Sequence, residues 1–270
     1  VYVDVTFGGG GHSRGILQCL GSEGRLFSFD QDADACANVP EGDSRLTFVH
    51  SNFRWLRNWM HYYGVEHIDG LLADLGVSSH HFDTAERGFS FRYDGALDMR
   101  MNRSARRTAA DIVNTYTVEQ LADVLRIYGE VKNARRYAQL IEKARQTAPI
   151  LTTGQLTEAL TGSAEPSPQQ KKEMARVFQA LRIEVNGEME ALKQMLSAAS
   201  DLLSPEGRLV VLTYHSLEDR MVKNVMRTGN AEGRTEQDFY GRNLAPLRAI
   251  GKAATASAAE QEANPRSRSA

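Results

Sequence analysis

The chain opens with Val1-Tyr2-Val3-Asp4-Val5-Thr6-Phe7-Gly8-Gly9-Gly10-Gly11-His12-Ser13, and this stretch decides the fold. Apolar and aromatic residues lead into Asp4, and four consecutive glycines then precede a helical pattern. This order predicts a buried strand, a tight turn and a helix N-terminus, because glycine adopts positive φ and lets a ligand approach the backbone closely. Free amides and the positive helix end favour an anionic group there. A glycine loop without a ligand is the alternative, since glycine-rich motifs alone are weakly specific.

An acid at the end of the second predicted strand supports the ligand-binding interpretation. Residues 25–30 alternate toward Asp30, which follows Gly11 by 19 positions. That spacing is close to the ~20 positions expected for a carboxylate that binds ribose hydroxyls in a βαβ nucleotide site. Asp30 could also act as a helix N-cap, and the two roles are compatible. The loop and the acid together favour a nucleoside cofactor.

Composition is that of an ordinary globular protein. The 270 residues are 41% hydrophobic and 24% charged, and Lys+Arg 32 against Asp+Glu 34 gives a formal charge of −2. No apolar run approaches the ~18 residues that span a membrane. A nucleic-acid partner is therefore to be sought in local basic patches. Because the chain starts inside a strand pattern without Met, we expect its natural N-terminus to lie upstream, and a targeting peptide stays open.

The two cysteines bear on compartment and on metal binding. Cys19 and Cys36 fit no metal or disulfide framework. We therefore expect a reducing compartment, the cytoplasm, no metal site, and two small apolar residues within helices.

Further strand and helix patterns predict an α/β fold. Residues 46–50, 68–76 and 208–214 read as strands, and residues 109–160 are mostly helical. We predict a sheet domain in two parts, residues 1–83 and 177–250, with an inserted helical domain over residues 84–176. Residues 251–270 form a low-complexity basic tail that we expect to be disordered in isolation.

Two residues follow strands at the sheet edge where ligands bind. Asp74 ends the fourth strand, and an acid buried there is costly unless it is paired or used. We favour a functional role for it. Phe53 follows the third strand and could stack on a base, or it could equally be the first core residue of the next helix.

Six runs in the chain, taken together, resemble one family. They are residues 4–13, Asp74-Leu75-Gly76-Val77-Ser78-Ser79, Glu86-Arg87-Gly88-Phe89-Ser90-Phe91, Leu97-Asp98-Met99-Arg100-Met101, residues 178–183, and His215-Ser216-Leu217-Glu218-Asp219-Arg220. In this order they resemble the bacterial 16S ribosomal RNA cytosine-N4-methyltransferases. The resemblance extends to the Asn264-Pro265-Arg266 tail.

The resemblance implies a fold, a methyl donor and a substrate. The fold is a class I, Rossmann-like methyltransferase sheet with an inserted all-helical domain for substrate recognition. The donor is S-adenosyl-L-methionine, and the substrate is the exocyclic N4 of a cytidine in the decoding region of 16S ribosomal RNA within the small ribosomal subunit. By matched position, the donor contacts are Gly10, Gly11, His12, Asp30, Phe53, Asp74 and His81. At His81 the chain departs from the family, which usually has Gln there.

The chemistry requires an acceptor for the N4 protons, since the cytosine amine is a poor nucleophile. We assign this role to Asp74 or its neighbouring backbone carbonyl. Methylation at C5 needs a cysteine nucleophile, and Cys19 and Cys36 fall in the first two helices, away from the fourth strand. A P-loop enzyme is excluded because no Gly-Lys-Ser/Thr follows the glycines, whereas the loop and Asp30 alone leave a dehydrogenase open.

The residues that contact the target cytidine and its RNA are assigned less directly. His215 and Ser216 are interpreted as shaping it, because a hydrolase would need a Gly-x-Ser-x-Gly elbow. Arginines without a nearby acid are the best candidates for RNA contact, and a solvated face is the alternative. They are Arg100, Arg103, Arg106 and Arg107. Aromatic residues 89, 91 and 93 could stack on the target base or anchor the insertion. A non-catalytic assembly factor is the competing class of function, and a homodimer stays open.

Overall fold

The chain divides into two compact units, each described here by itself. The structure, a computed structural model, describes residues 1–77, 84–162, 166–264 and 267–268. The first unit comprises Val1–Gly76 and Met189–Ala270, and the second comprises Val77–Glu188.

The first unit is built on a parallel sheet of five described strands. They are β1 (Tyr2–Asp4), β2 (Leu26–Asp30), β3 (Leu46–His50), β4 (Ile68–Asp74) and β5 (Leu203–Leu212). Their order is β3-β2-β1-β4-β5, and every pair is parallel. The direction of winding reverses between β1 and β4, where a parallel sheet opens its ligand crevice at the carboxyl ends of the strands. The predicted α/β class is confirmed.

The helices follow the apolar periodicity of the sequence. Those of the described residues are α1 (Gly11–Cys19), α2 (Leu56–Tyr62), α3 (Ala109–Thr115), α4 (Val118–Gly129), α5 (Ala134–Arg145), α6 (Thr153–Thr161), α7 (Pro168–Asn186), α8 (Glu188–Leu202), α9 (Ser216–Thr228) and α10 (Ala258–Ala263). Within these residues, no helix combines the length and the apolar content that crossing a lipid bilayer requires.

The core of the first unit lies between the sheet and helices from both parts of the chain. Inward strand residues such as Val3 and Phe29 are buried, and α2 contributes Leu56 and Met60. Helices α8 and α9 add apolar residues to the same cluster, namely Leu192, Met195, Leu196, Val222 and Val225. This packing fixes the strand ends from which the site is built.

The second unit is helical, and its extent differs from the sequence prediction. We placed the end of the insertion at residue 176, but α7 continues through that position and buries Val177, Phe178 and Leu181 in the core of this unit. A Cβ on Gly129 of α4 would lie 2.6 Å from the Arg176 carbonyl oxygen, so α4 and α7 are in close contact. The insertion therefore runs to Glu188, because α7 packs on α4.

The predicted start of one strand is wrong. Strand β5 begins at Leu203 rather than 208, with a register shift opposite Ile68–Gly70, and it is half exposed because β4 is its only partner strand among the described residues. Cys19 lies at the end of α1 and Cys36 in a 3-10 helix, close to the prediction that both lie in helices, and both side chains are exposed. The tail contains the short helix α10, which Ser257 caps by accepting the Glu260 amide.

Candidate active site

A buried carboxylate fixes the start of the glycine turn. Asp4 at the end of β1 is fully buried, and it accepts hydrogen bonds from the Ser13 hydroxyl (2.6 Å) and the Thr6 amide (3.1 Å). Burial raises the pKa of Asp4, and the hydrogen bond from Ser13 opposes that shift. Ser13 also lies 2.7 Å from the Ser28 hydroxyl. These contacts tie β1, α1 and β2 together beneath the turn.

The glycine turn adopts the backbone conformation that the sequence predicts. Gly8 and Gly10 have φ of +50° and +74°, and Gly10 is the N-cap of α1. A Cβ on Gly10 would lie 2.8 Å from the Phe7 ring, whereas a Cβ on Gly9 or Gly11 would meet nothing within 4 Å. Within the described chain, the amides of Gly9 and Gly11 donate to no protein acceptor. The turn therefore offers open space and free donors at a helix N-terminus, which suits an anionic ligand group.

Asp30 is tied to the glycine turn. One of its carboxylate oxygens accepts the Gly8 amide and the other accepts the Asp32 amide, each at 2.8 Å. The N-cap of the following 3-10 turn is Asp32, not Asp30. Asp30 therefore holds the glycine turn from the carboxyl end of β2, the edge of the sheet at which Asp74 also lies.

Asp74 at the end of β4 is the centre of a polar network. The Tyr214 hydroxyl donates to its Oδ1 (2.6 Å), and the His12 Nε2 lies 3.3 Å from its Oδ2. Its backbone amide donates to the Thr6 hydroxyl (2.7 Å). The Asp74 side chain remains 30% exposed, so it is also accessible to a ligand. Burial raises the pKa of Tyr214 well above its ordinary value, as does the hydrogen bond to Asp74, so this hydroxyl stays protonated and donates.

The segment after β5 holds Tyr214, which donates to Asp74, in place. His215 is the N-cap of α9, and its Nε2 lies 3.1 Å from the Glu218 carboxylate. The same carboxylate accepts the Tyr214 amide at 2.9 Å. Glu218 is buried, so it acts within the protein, while Ser216 is the first residue of α9.

Phe53 and His81 complete the predicted donor contacts. Phe53 begins a 3-10 turn after β3, is half buried, and packs against the core of the first unit. It therefore contributes to the core, and the residue remains partly exposed. His81 lies outside the described residues.

The four arginines of the predicted RNA patch differ in their surroundings. Arg100 makes paired hydrogen bonds to Asp98, both at 2.7 Å. Arg107 donates to the Tyr116 hydroxyl and lies 3.5 Å from the Glu184 carboxylate. In the described parts of the chain, the exposed Arg103 and Arg106 have no ion pair or hydrogen bond from their guanidinium groups.

The aromatic residues of the insertion also differ in how exposed they are. Phe89 is buried and contacts Arg87, and Phe91 packs edge-on against Phe178 with ring centroids 5.3 Å apart. Both anchor the second unit, whereas Tyr93 is exposed.

Sequence reasoning missed Tyr214 and Thr6 as parts of the site. Tyr214 lies two residues beyond β5, at the carboxyl end of the sheet, where the rule that selected Asp74 also applies. Thr6 lies within the opening stretch, but its contact with a residue 68 positions away has no local signal.

A parallel sheet in this order, with a glycine turn and two strand-terminal carboxylates at its carboxyl edge, defines a Rossmann-like α/β protein of the class I methyltransferase type. Residues 1–270 match the family model described as the MraW methylase family. The chain is 60% identical over 270 residues to "Ribosomal RNA small subunit methyltransferase H" of Bacteroides thetaiotaomicron, covering 100% of this chain and 88% of that protein. Proteins of the same name from Phocaeicola vulgatus and Porphyromonas gingivalis are 59% and 56% identical, with the same coverage. This chain belongs to the MraW methylase family, and the resemblance predicted from its motifs is confirmed.

Proposed function

We propose that this chain transfers a methyl group from S-adenosyl-L-methionine to the exocyclic N4 of a cytidine in the decoding region of 16S ribosomal RNA. The observation that carries the proposal is the grouping of the glycine turn, Asp30 and Asp74 at the switch point of the sheet, in a chain whose relatives are named as small-subunit ribosomal RNA methyltransferases.

The open space at the glycine turn supports a binding site for the methyl donor there. Gly10 sets the left-handed bend, and the exposed residues Gly11 and His12 would hold the amino-acid portion of S-adenosyl-L-methionine at the positive end of α1. Asp30 would bind the ribose hydroxyls, and Phe53 would pack on the base. The bound donor supplies an electrophilic methyl group on a sulfonium.

Asp74 acts on the nucleophile. As the N4–carbon bond forms and the sulfur–carbon bond breaks, N4 must release a proton to an acceptor. The Asp74 carboxylate is accessible, and Tyr214 and His12 hold its orientation from two sides. A carboxylate fixed in this way aligns the N4 amine with the methyl group and accepts its hydrogen bond, so the transfer proceeds from a positioned pair.

The proposal also assigns the RNA side. The cytidine must be splayed out of its stack to reach the donor. Arg103 and Arg106 are free to contact phosphates, while Arg100 and Arg107 hold the loop that carries them. His215 and Ser216 shape the target side at the start of α9. The partner is the small ribosomal subunit, and the compartment is the cytoplasm, where such subunits are assembled.

The test is transfer of a tritiated methyl group to small subunits, followed by nucleoside analysis. The proposal requires N4-methylcytidine as the product. Asp74→Asn keeps the shape of the side chain but removes its charge, and we expect the transfer rate to fall by about 10²-fold. A product methylated at another atom, or an Asp74→Asn variant with wild-type rate and donor affinity, would contradict the proposal.

A further inference from the structure

A short hairpin in the first unit presents two aromatic side chains to solvent. Gln237 and Asn243 pair in an antiparallel bridge. Between them, Phe239 is 98% exposed and Tyr240 is 81% exposed. Adjacent aromatic rings at this exposure leave an apolar surface in water, which is a common property of binding sites.

Hydrogen bonds hold the hairpin in a defined shape. The Asp238 carboxylate accepts the amides of Tyr240 and Arg242, each at 2.8 Å, and the Asp238 amide donates to the Arg242 carbonyl at 2.9 Å. The Asn243 side chain donates to the Arg227 carbonyl near the end of α9 (2.8 Å). The exposure of the tip is therefore built into a fixed turn that is attached to a helix.

The chemistry of the tip matches an unpaired nucleotide. The rings of Phe239 and Tyr240 meet edge-on with centroids 5.6 Å apart, so ring faces remain open. The Arg242 guanidinium lies 5.8 Å from the Tyr240 ring centroid. Aromatic faces beside a guanidinium are the groups on which single-stranded bases stack.

The chain that follows the two rings is basic, although the hairpin itself also holds an acid. From Phe239 to Ala259 there is no acidic residue, whereas Arg242, Arg248 and Lys252 are present. Asp238 directly precedes Phe239, and its carboxylate accepts the amides of Tyr240 and Arg242. The chain as a whole has a formal charge of −2, so this stretch is a local excess of positive charge. Such an excess beside exposed aromatic rings favours RNA.

We propose that the hairpin tip docks on small-subunit ribosomal RNA, with Phe239 or Tyr240 stacked on an unpaired base and Arg242 against a phosphate. The inference rests on the proposed function, to which it adds an RNA contact made by residues outside the donor and target sites.

The test is a double variant, Phe239→Ala with Tyr240→Ala, in steady-state methylation of small subunits. Loss of one stacked base raises the KM for the subunit about tenfold, while kcat and the affinity for S-adenosylmethionine stay at wild-type values. The matched control, Phe239→Tyr with Tyr240→Phe, keeps both aromatic faces and keeps the wild-type KM. Arg242→Gln lowers the salt slope of RNA binding by about one.

Two results would overturn the inference. One is a wild-type KM in the double variant together with a wild-type salt slope in Arg242→Gln. The other is a wild-type KM together with a change in oligomeric mass by light scattering, which would assign the tip to a second copy of the chain. A direct measurement of the affinity for small-subunit RNA tests the role of the hairpin independently of methyl transfer. If the wild-type chain transfers no methyl group, the proposed function fails, while the difference in RNA affinity between wild type and double variant still decides the role of the hairpin.

Discussion

Asp74 shows how one side chain depends on partners from distant parts of the chain. His12 lies in the first turn of α1, and Tyr214 lies two residues after the end of β5. A carboxylate held between two donors keeps one orientation, and orientation is what a positioned methyl transfer requires. Tyr214 touches the reacting groups only through Asp74, so it is a positioning residue.

We predict that Tyr214→Phe lowers kcat by about tenfold and leaves the KM for the RNA unchanged. The phenyl ring keeps its packing, but Asp74 loses a hydrogen bond to its charged group, and such bonds contribute about 1.5–3 kcal/mol. Single-turnover methylation measures the effect, and calorimetry with S-adenosylmethionine measures donor affinity. Tyr62→Phe, at an exposed position of α2, is the control. A Tyr214→Phe variant with wild-type kcat would show that the hydroxyl does not position Asp74.

Asp98 illustrates a residue of the motifs whose role is structural. Burial alone would raise the pKa of Asp98, but the hydrogen bonds and charge of Arg100, with the charge of Arg87, outweigh burial and lower the pKa. A carboxyl whose pKa is lower in the folded state stabilises the fold above its unfolded pKa, near 4. That stabilisation is lost as the pH falls through the folded pKa.

We therefore predict that Asp98→Asn lowers the free energy of unfolding by about 1–3 kcal/mol at pH 7 and by less at an acidic pH below the pKa of the folded Asp98. Protonation of Asp98 at that pH removes the difference in charge between the two chains. Urea unfolding of the full chain at the two pH values measures it. An equal loss of stability at both values would assign the effect to shape rather than to the Arg100 pair.

At the scale of elements, the turn between β1 and α1 has to satisfy backbone geometry and ligand access together. Gly10 meets the first requirement, because its φ of +74° and its contact with Phe7 exclude a side chain. Gly11 meets the second, because its Cβ position is open. Substitution with alanine separates the two.

We predict that Gly10→Ala destabilises the protein by about 1–3 kcal/mol, since a methyl group there is strained and in steric conflict. Gly11→Ala should keep wild-type stability, because a helix accepts alanine in its first turn. Its methyl group would instead occupy donor space and weaken S-adenosylmethionine binding. Thermal unfolding and calorimetry distinguish the two variants. A Gly11→Ala variant with unchanged donor affinity would place the donor elsewhere.

The elements that follow local patterns are the ones the sequence predicts well. Strands β2, β3 and β4 start within a residue of the predicted positions, because buried parallel strands have apolar runs that end in turns or acids. The start of β5 differs because Ser204–Gly207 has turn composition, yet pairing with β4 extends the strand across it. Pairing of this kind depends on a strand more than 130 positions earlier in the chain, and a local pattern carries no information about it.

The same distinction applies to the site. The acids at strand ends were predictable because topology brings those ends together. The partners of Arg107 were not, since Glu184 follows it by 77 positions and comes from α7. A run of arginines therefore looks uniform in the sequence, while folding pairs Arg100 and Arg107 and leaves Arg103 and Arg106 without a partner among the described residues.

At the scale of the whole molecule, a formal charge of −2 has to be reconciled with an RNA substrate. Overall charge gives no attraction to phosphates, so affinity must come from cations that have no acidic partner in the protein. In the described second unit, Arg103 and Arg106 have no acidic partner. Arg100 and Arg107 instead donate hydrogen bonds to Asp98 and to Tyr116.

We predict that Arg103→Gln with Arg106→Gln weakens binding of small-subunit RNA and lowers the slope of log affinity against log salt by about 1.5, since each lost phosphate contact removes ~0.7–0.9. Stability should stay at the wild-type value, because neither guanidinium group has a partner among the residues that the structure describes. Arg100→Gln is the matched comparison from the same loop, and it should lower stability through Asp98. Titrations with labelled RNA at several salt concentrations give the slopes. A double variant with a wild-type slope would remove this loop from the RNA surface, and the binding charge would then have to come from the other basic segments of the chain.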